Sequence, residues 1–322
     1  MSHFTLIVEL PEGTLPDDYE SEIARRLERY DENRKVEPYR DYWESVDPRD
    51  NWAFEYVYET LQKSDENAPA PEDVTLERFV AAYNERYHND EEDSEKPVEY
   101  DAETGRAFTW STYNPESKWD WWTIGGRWRG YFTTVEKMSS DDVQRVLLTA
   151  PRWMNEDYEV HDRACDGGPI RLLDLEGQRA TAVAKAEERF ATYERAIAGT
   201  PEALSWTESR ESHDDIEDAR AFYREQPRVQ ALNEAFSDFG FGCRIEEFRW
   251  GRELYVHRAR LSAVPGYAYL TRDDRWLSPG DMGWFGLSSD TVESREAYDT
   301  AVNGRITSLG PDVVLVLVDC HI

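Results

Sequence analysis

The sequence has few cysteines and no long apolar run. Its three cysteines, Cys165, Cys243 and Cys320, are odd in number and far apart, which argues against a disulfide framework and indicates a reducing compartment. The longest apolar run, VVLVLV at 313–318, has the length of a strand and is too short to span a membrane. The start, MSHFTLIVEL, lacks a basic region and a small-residue cleavage site, so we expect no signal peptide. These features predict a cytoplasmic protein with no membrane association.

Basic residues are also scarce, with 37 Lys and Arg against 67 Asp and Glu, a net charge of -30. This balance disfavours a surface for duplex nucleic acid, because phosphate neutralisation needs clustered Lys and Arg. The charge repels polyanions at long range. It leaves room for a small anionic ligand wherever a few arginines converge. The acidic stretch at 89–105 fits either a solvated surface or a protein that binds a basic site on a host protein.

The common catalytic motifs are missing too. The sequence has no Walker loop, no G-x-G-x-x-G, no nucleophile elbow, no H-E-x-x-H and no C-x-x-C. His161 and Cys165 are spaced for one helical turn, but there is no second pair of matching spacing. The sequence therefore leaves the reaction, the cofactor and any metal unknown.

Patterns of hydrophobic residues predict strands at both ends and in the middle of the chain, with helices between them. We expect an α+β fold in which a mixed or antiparallel sheet includes both terminal strands, and in which 313–318 is a central strand covered on both faces. We predict a single domain, 1–322, with a helical insertion at 139–240. The predicted strands are 3–10, 106–116 paired with 127–136, 253–261, 266–274 and 312–322; the predicted helices are 17–30, 36–46, 51–63, 75–88, 139–150, 173–199, 214–238 divided at Pro227, and 291–309.

The segment SKWDWWTIGGRWRGYF, residues 117–132, concentrates tryptophan and arginine around a Gly-Gly pair. Indole rings beside guanidinium groups and exposed glycine amides would suit an aromatic base with a phosphate. The alternative is that the rings fill the core and the arginines pair with buried carbonyls or with carboxylates such as Asp120. The candidate ligand-binding residues are Trp119, Trp121, Trp122, Gly125, Gly126, Arg127, Trp128, Arg129 and, from the loop described next, Trp284.

The loop LSPGDMGWFGL, residues 277–287, combines proline and glycine with large apolar side chains. Met282, Trp284 and Phe285 are too apolar to be left in water. The loop therefore either closes over the tryptophan-rich segment or fills part of the core.

The two chain ends form a second candidate site. Asp319 and His321 are two positions apart on the last strand and so share one face, with Cys320 on the other. If the first strand is their neighbour, His3, Asp319 and His321 form an acid–base group or a metal site. The alternative is that His321 is a surface residue and Cys320 a small core residue.

Three stretches, MSHFTLIVEL, KWDWWTIGGRWRGYF and GDMGWFGL with VVLVLVDCHI, resemble a widespread group of uncharacterised proteins of tailed phages and bacteria. Members of this group begin with Met-Ser-His-Phe-Thr, carry a Lys-Trp-Asp-Trp and Gly-Gly-Arg-Trp centre, and end on Asp-Cys-His-Ile. LERYDENRKVEPY and LDLEGQR are also similar to stretches of the group. The resemblance implies a phage or prophage setting, and hence the host cytoplasm, but no activity.

Three functions follow as hypotheses. The first is a protein that binds a small, nucleotide-like anionic ligand in the Trp/Arg pocket, which in a phage setting would counteract host defence signalling. The second is a hydrolase that uses His3, Asp319 and His321, with or without a metal. The third is an acidic protein that binds a host protein. The oligomeric state is left open.

Overall fold

A computed structural model describes residues 2–65, 67–88, 96–149, 162–240, 244–283 and 287–322. The fold is α+β, as predicted. The residues group into two compact units, one formed by Met1–Glu28 with Lys118–Ile322 and the other by Arg29–Ser117. Where the sequence predicted one domain with an insertion at 139–240, the contacts divide the chain after residues 28 and 117.

The strands and helices are numbered in chain order. The strands are β1 (His3–Leu10), β2 (Tyr39–Tyr42), β3 (Glu99–Asp101), β4 (Arg106–Ser111), β5 (Trp121–Ile124), β6 (Phe132–Thr133), β7 (Leu147–Leu148), β8 (Ala164–Pro169), β9 (Ala268–Leu270), β10 (Trp276–Leu277) and β11 (Val314–His321). The helices are α1 (Pro16–Leu27), α2 (Phe54–Ser64), α3 (Leu76–Tyr87), α4 (Ser140–Val143), α5 (Leu175–Ile197), α6 (Trp206–Glu211), α7 (Ile216–Glu225), α8 (Pro227–Ala235), α9 (Ile245–Phe248), α10 (Arg252–Ser262) and α11 (Val292–Ser308). Among the described residues, no helix is long and apolar enough to cross a membrane.

The larger unit is built on a mixed sheet with the strand order β10-β9-β1-β11-β8-β6. The terminal strands β1 and β11 are antiparallel neighbours, and β9 is parallel to β1. On its other side, β11 pairs with two strands: residues 314–316 pair with β8, and residues 318–321 pair with β5. Val314–Cys320 is buried throughout, which confirms the predicted central strand.

One face of this sheet carries the main core. Ile7, Leu315 and Leu317 lie on this face and pack in one cluster with Val302 and Ile306 of α11. In the pairing of β1 with β11, Ile7 lies opposite Leu317 and Thr5 lies opposite Asp319. Since side chains alternate along a strand, Asp319 and His321 continue the same face beyond the apolar residues. The apolar core therefore ends where the polar pair begins.

The helices of the larger unit include α5, α7 and α8. The helix predicted at 173–199 is confirmed as α5, and the helix predicted at 214–238 is confirmed as α7 and α8, divided at Pro227. The predicted strand at 253–261 is wrong, because these residues form α10, which packs along α5. The predicted helix at 139–150 is reduced to α4, followed by β7.

The smaller unit has a three-stranded sheet, β2-β4-β3, with α2 and α3. Its core includes Val57, Phe79 and Ala107. The predicted helix at 36–46 is wrong, because this segment contains β2, which pairs with β4. The predicted pairing of 106–116 with 127–136 is also wrong, because β4 pairs with β2 and β3 and the second segment contributes β6 to the other sheet.

Candidate functional site

The pairing of β1 with β11 brings His3, Asp319 and His321 together. His3 lies opposite His321 in the register, and its Nδ1 is 2.9 Å from Oδ1 of Asp319. The Asp319 side chain is 2% exposed and that of His3 is 14% exposed. A buried carboxylate thus holds one edge of a nearly buried imidazole ring.

A second carboxylate holds the other histidine in the same way. Nδ1 of His321 is 2.5 Å from Oδ1 of Asp120, and the His321 side chain is 13% exposed. The two imidazole rings are in edge contact, with centroids 4.9 Å apart. Asp120 was considered from the sequence only as a partner for arginine. Its position beside His321 follows from the pairing of β5 with β11, which the sequence does not specify.

Each ring has one nitrogen left for chemistry. A carboxylate at Nδ1 favours the tautomer with hydrogen on Nδ1, which leaves Nε2 as the acceptor of a neutral ring. Within the described residues, Nε2 of neither histidine takes part in a hydrogen bond.

The Gly-Gly turn supports the buried carboxylates. Asp319 Oδ2 accepts a hydrogen bond of 2.9 Å from the backbone N–H of Arg127, and Asp166 Oδ1 accepts one of 2.5 Å from that of Gly130. A Cβ atom on Gly126 would overlap the Asp319 carboxylate, and one on Gly125 would lie 2.9 Å from the carboxyl carbon of Asp166. The glycines therefore lie against protein carboxylates, and two of the turn's amides bind those carboxylates.

Burial dominates the titration of two groups at this turn. It raises the pKa of Asp166, and the hydrogen bonds from Gly130 and Thr149 and the positive charge of Arg129 oppose that shift only in part. Burial, reinforced by the charge of Asp319, raises the pKa of the Cys320 thiol well above its usual value. Cys320 therefore stays a thiol at neutral pH and is not a nucleophile.

The four tryptophans of the segment have different environments. Trp119 is buried and donates from Nε1 to the Leu27 carbonyl over 3.1 Å, and the partly buried Trp128 packs against the main core. Trp121 is 51% exposed and meets the His3 ring edge-on, with centroids 6.3 Å apart. Trp122, the neighbour of Trp121 along β5, is half-buried and points to the opposite face. Trp121 is thus the indole of this segment that borders the histidines.

The loop at 277–287 reaches the edge of this site. Asp281 forms an ion pair of 2.8 Å with Lys118, and the Gly283 carbonyl accepts a hydrogen bond of 2.9 Å from Ser2. Trp284 and Phe285 lie outside the described residues, so their predicted roles stay predictions.

No family model, curated protein or solved structure matches this chain. The site must therefore be interpreted from its own geometry. Among the described residues, no group of three or more His, Cys, Asp or Glu side chains is arranged to hold a metal ion.

The arrangement has the parts of an acid–base site. Two histidines, each oriented by its own carboxylate, can act in turn as proton acceptor and proton donor. The exposed indole of Trp121 contacts the His3 ring, and the backbone N–H of the exposed residue Arg127 binds Asp319. The two candidate sites predicted from the sequence therefore share one strand pairing.

Proposed function

We propose that the protein cleaves a small phosphate ester by acid–base catalysis at His3 and His321. The observation that carries this proposal is the contact of two imidazole rings, 4.9 Å apart, each held at Nδ1 by a carboxylate. A single oriented histidine also serves structural purposes. Two oriented histidines, side by side at the edge of the core, can supply both the proton acceptor and the proton donor of a reaction.

The roles of the groups follow from general acid–base chemistry. One neutral imidazole takes the proton from an attacking water or hydroxyl group at its Nε2. The other imidazole, protonated, gives its Nε2 proton to the oxygen of the leaving group as the P–O bond breaks. Asp319 and Asp120 do not exchange protons with the substrate. They keep the rings in position and stabilise the imidazolium form.

The substrate class is inferred from the surroundings of the rings. Trp121 offers a half-exposed aromatic surface next to His3, and an aromatic base stacks favourably on such a surface. Arg127 is exposed, and we infer that its guanidinium group binds the phosphate. The net charge of -30 repels long polyanions, which favours a mononucleotide or short oligonucleotide over a nucleic-acid polymer.

The test compares His3→Ala, His321→Ala and Asp120→Asn with the unaltered protein on a panel of nucleoside phosphomonoesters, phosphodiesters and cyclic nucleotides. We expect the His variants to lose roughly 100-fold or more in kcat. Asp120→Asn should also lower kcat strongly, because an amide neither fixes the tautomer with hydrogen on Nδ1 nor stabilises the imidazolium form of His321. His257→Ala is the matched control, since His257 is exposed on α10.

The proposal fails if no ester in the panel is turned over, or if both His variants keep full turnover. Metal analysis of protein purified without chelator separates metal-free proton transfer from metal-assisted hydrolysis at the same Nε2 atoms.

A second candidate function is binding of a nucleotide-like ligand without turnover, which the exposed face of Trp121 favours. Calorimetry would then show binding by the unaltered protein with no product formed. Trp121→Ala should weaken that binding, while Trp122→Ala, on the other face of β5, should affect it much less.

A further inference from the structure

A cavity lies among α10, α11 and the segment that precedes α11. Its volume is about 630 Å³, which is within the usual range for small-molecule sites. None of the residues that form the histidine site lines it. The lining residues are Arg244, Trp250, Arg258, Leu261, Ser262, Leu287, Ser288, Asp290, Thr291, Val292, Arg295, Glu296 and Asp299.

The charges of this lining are balanced. Three arginines face three carboxylates, those of Asp290, Glu296 and Asp299. A cavity that is lined by equal numbers of both charges does not favour a ligand with a large net charge of either sign. It suits a ligand that carries both charges at different ends.

Asp299 supplies an unsatisfied acceptor. Its side chain is 4% exposed, and Oδ1 lies 3.5 Å from Arg295 Nε, which is too long for a good hydrogen bond. Within the described residues, Oδ1 accepts no hydrogen bond. Burial raises the pKa of Asp299 to about 6, a larger effect than the opposing charge of Arg295. A buried acceptor oxygen without a hydrogen-bond donor is costly, so a donor from a ligand would be bound strongly.

Arg258 supplies an unsatisfied donor. Its Nε and Nη2 both donate to Oε2 of Glu296, over 3.0 and 2.9 Å, and its guanidinium group lies 4.0 Å from the centre of the Trp250 ring. Nη1 is buried and has no hydrogen-bond partner within the described residues. Glu296 and Trp250 thus hold the guanidinium group in place, and its Nη1 remains available to an acceptor from a ligand.

We propose that this cavity binds a small zwitterion of amino-acid size. Its ammonium group would donate to Asp299 Oδ1, its carboxylate would accept from Arg258 Nη1, and its side chain would contact the apolar parts of the wall. The proposal is independent of the histidine site, because the two share no residue.

The test measures the melting temperature and the binding isotherm of the full chain with each of the common amino acids. The best ligand is then compared with its decarboxylated amine and its deaminated acid, which each keep one charge. We expect the intact amino acid to bind at least tenfold more tightly than either analogue. Asp299→Asn should weaken its binding at least tenfold.

Arg260→Gln is the matched control, because Arg260 lies on α10 and pairs with Glu176 outside the cavity. It should leave the affinity unchanged. Circular dichroism reports whether Asp299→Asn is folded. The proposal is overturned if no amino acid shifts the melting temperature. It is also overturned if a one-charge analogue binds as tightly as the amino acid, or if a folded Asp299→Asn variant keeps full affinity.

Discussion

At the scale of single residues, Gly126 connects the backbone to the proposed chemistry. It has a φ of 52°, in the left-handed region, and its α-carbon lies against the Asp319 carboxylate. That carboxylate bonds both His3 and the N–H of Arg127. A side chain at this position would therefore disturb the backbone and the orientation of His3 together.

Gly126→Ala should lower the free energy of unfolding by roughly 3 kcal/mol or more, because it adds the loss of a buried hydrogen-bond network to the strain of a left-handed residue. Gly199→Ala separates the two effects. Gly199 has a φ of 80°, and a Cβ there would meet nothing within 4 Å. Gly199→Ala should lower the free energy of unfolding by only about 1–2 kcal/mol. Equal losses in urea denaturation would show that contact with Asp319 is unimportant.

Asp299 predicts an unusual dependence of stability on pH. Its pKa rises from an ordinary value of 3.8 to about 6 on folding, so the folded state binds the proton more tightly than the unfolded state. The contribution of Asp299 to the free energy of unfolding is therefore most favourable below pH 4 and is lost as the pH rises to 6. At neutral pH the penalty is at most about 3 kcal/mol.

Asp299→Asn should remove that penalty. The variant should be more stable than the unaltered protein at pH 7, and the advantage should shrink as the pH falls toward 4. Urea denaturation across this range measures the difference. A variant that is less stable at pH 7 would mean that the ion pair with Arg295 outweighs burial.

At the scale of secondary-structure elements, periodicity predicted β1, β11, α5 and α11 well. These elements have long, regular patterns and clear ends. β11 was predictable because an unbroken apolar run is expected of a strand that is buried on both faces. The sequence predicts a strand where α10 lies, because apolar and polar residues alternate weakly there. Contacts with α5 accompany the helix: Arg252 forms ion pairs with Glu187 and Glu194.

The site itself was only half predictable. Alternation along a strand correctly places Asp319 and His321 on one face. It does not specify that β5 pairs with β11, which brings Asp120 to His321 and Trp121 to His3. Nor does the composition of the tryptophan-rich segment show that Trp119 and Trp128 pack inside while Trp121 remains half exposed. Those distinctions come from long-range pairing, which a single sequence does not reveal.

The short helix α6 depends on its cap. The Ser205 side chain accepts from the Glu208 N–H over 3.1 Å, and Glu208 Oε2 accepts from the Ser205 N–H over 2.7 Å. Ser205 is buried, so Ser205→Ala should lower the free energy of unfolding by about 1 kcal/mol. Ser139→Ala, which removes the same motif from the exposed helix α4, should have a smaller effect. Thermal or urea unfolding of both variants shows which of them loses more stability.

At the scale of the whole molecule, the smaller unit interrupts the larger one between Glu28 and Lys118. The two ends of the interruption are close together in the larger unit, since Trp119 Nε1 is 3.1 Å from the Leu27 carbonyl. The histidines, their carboxylates and Trp121 all belong to the larger unit.

Replacing residues 29–117 with a short Gly/Ser linker should therefore leave a folded protein. We expect a cooperative melt by circular dichroism and, if the proposed activity is found, turnover within about an order of magnitude of the full chain. Loss of the cooperative melt would show that the larger unit needs the smaller one.

The separation of His3 from Asp319 along the chain also bears on how the protein folds. These partners are 316 positions apart, so the pairing of their strands closes a long loop at a cost in chain entropy. Contacts of such long range form slowly, after local helices. In a refolding experiment, helical ellipticity should recover before the proposed activity does, so that turnover, if it is found, would report the arrival of the fully native state.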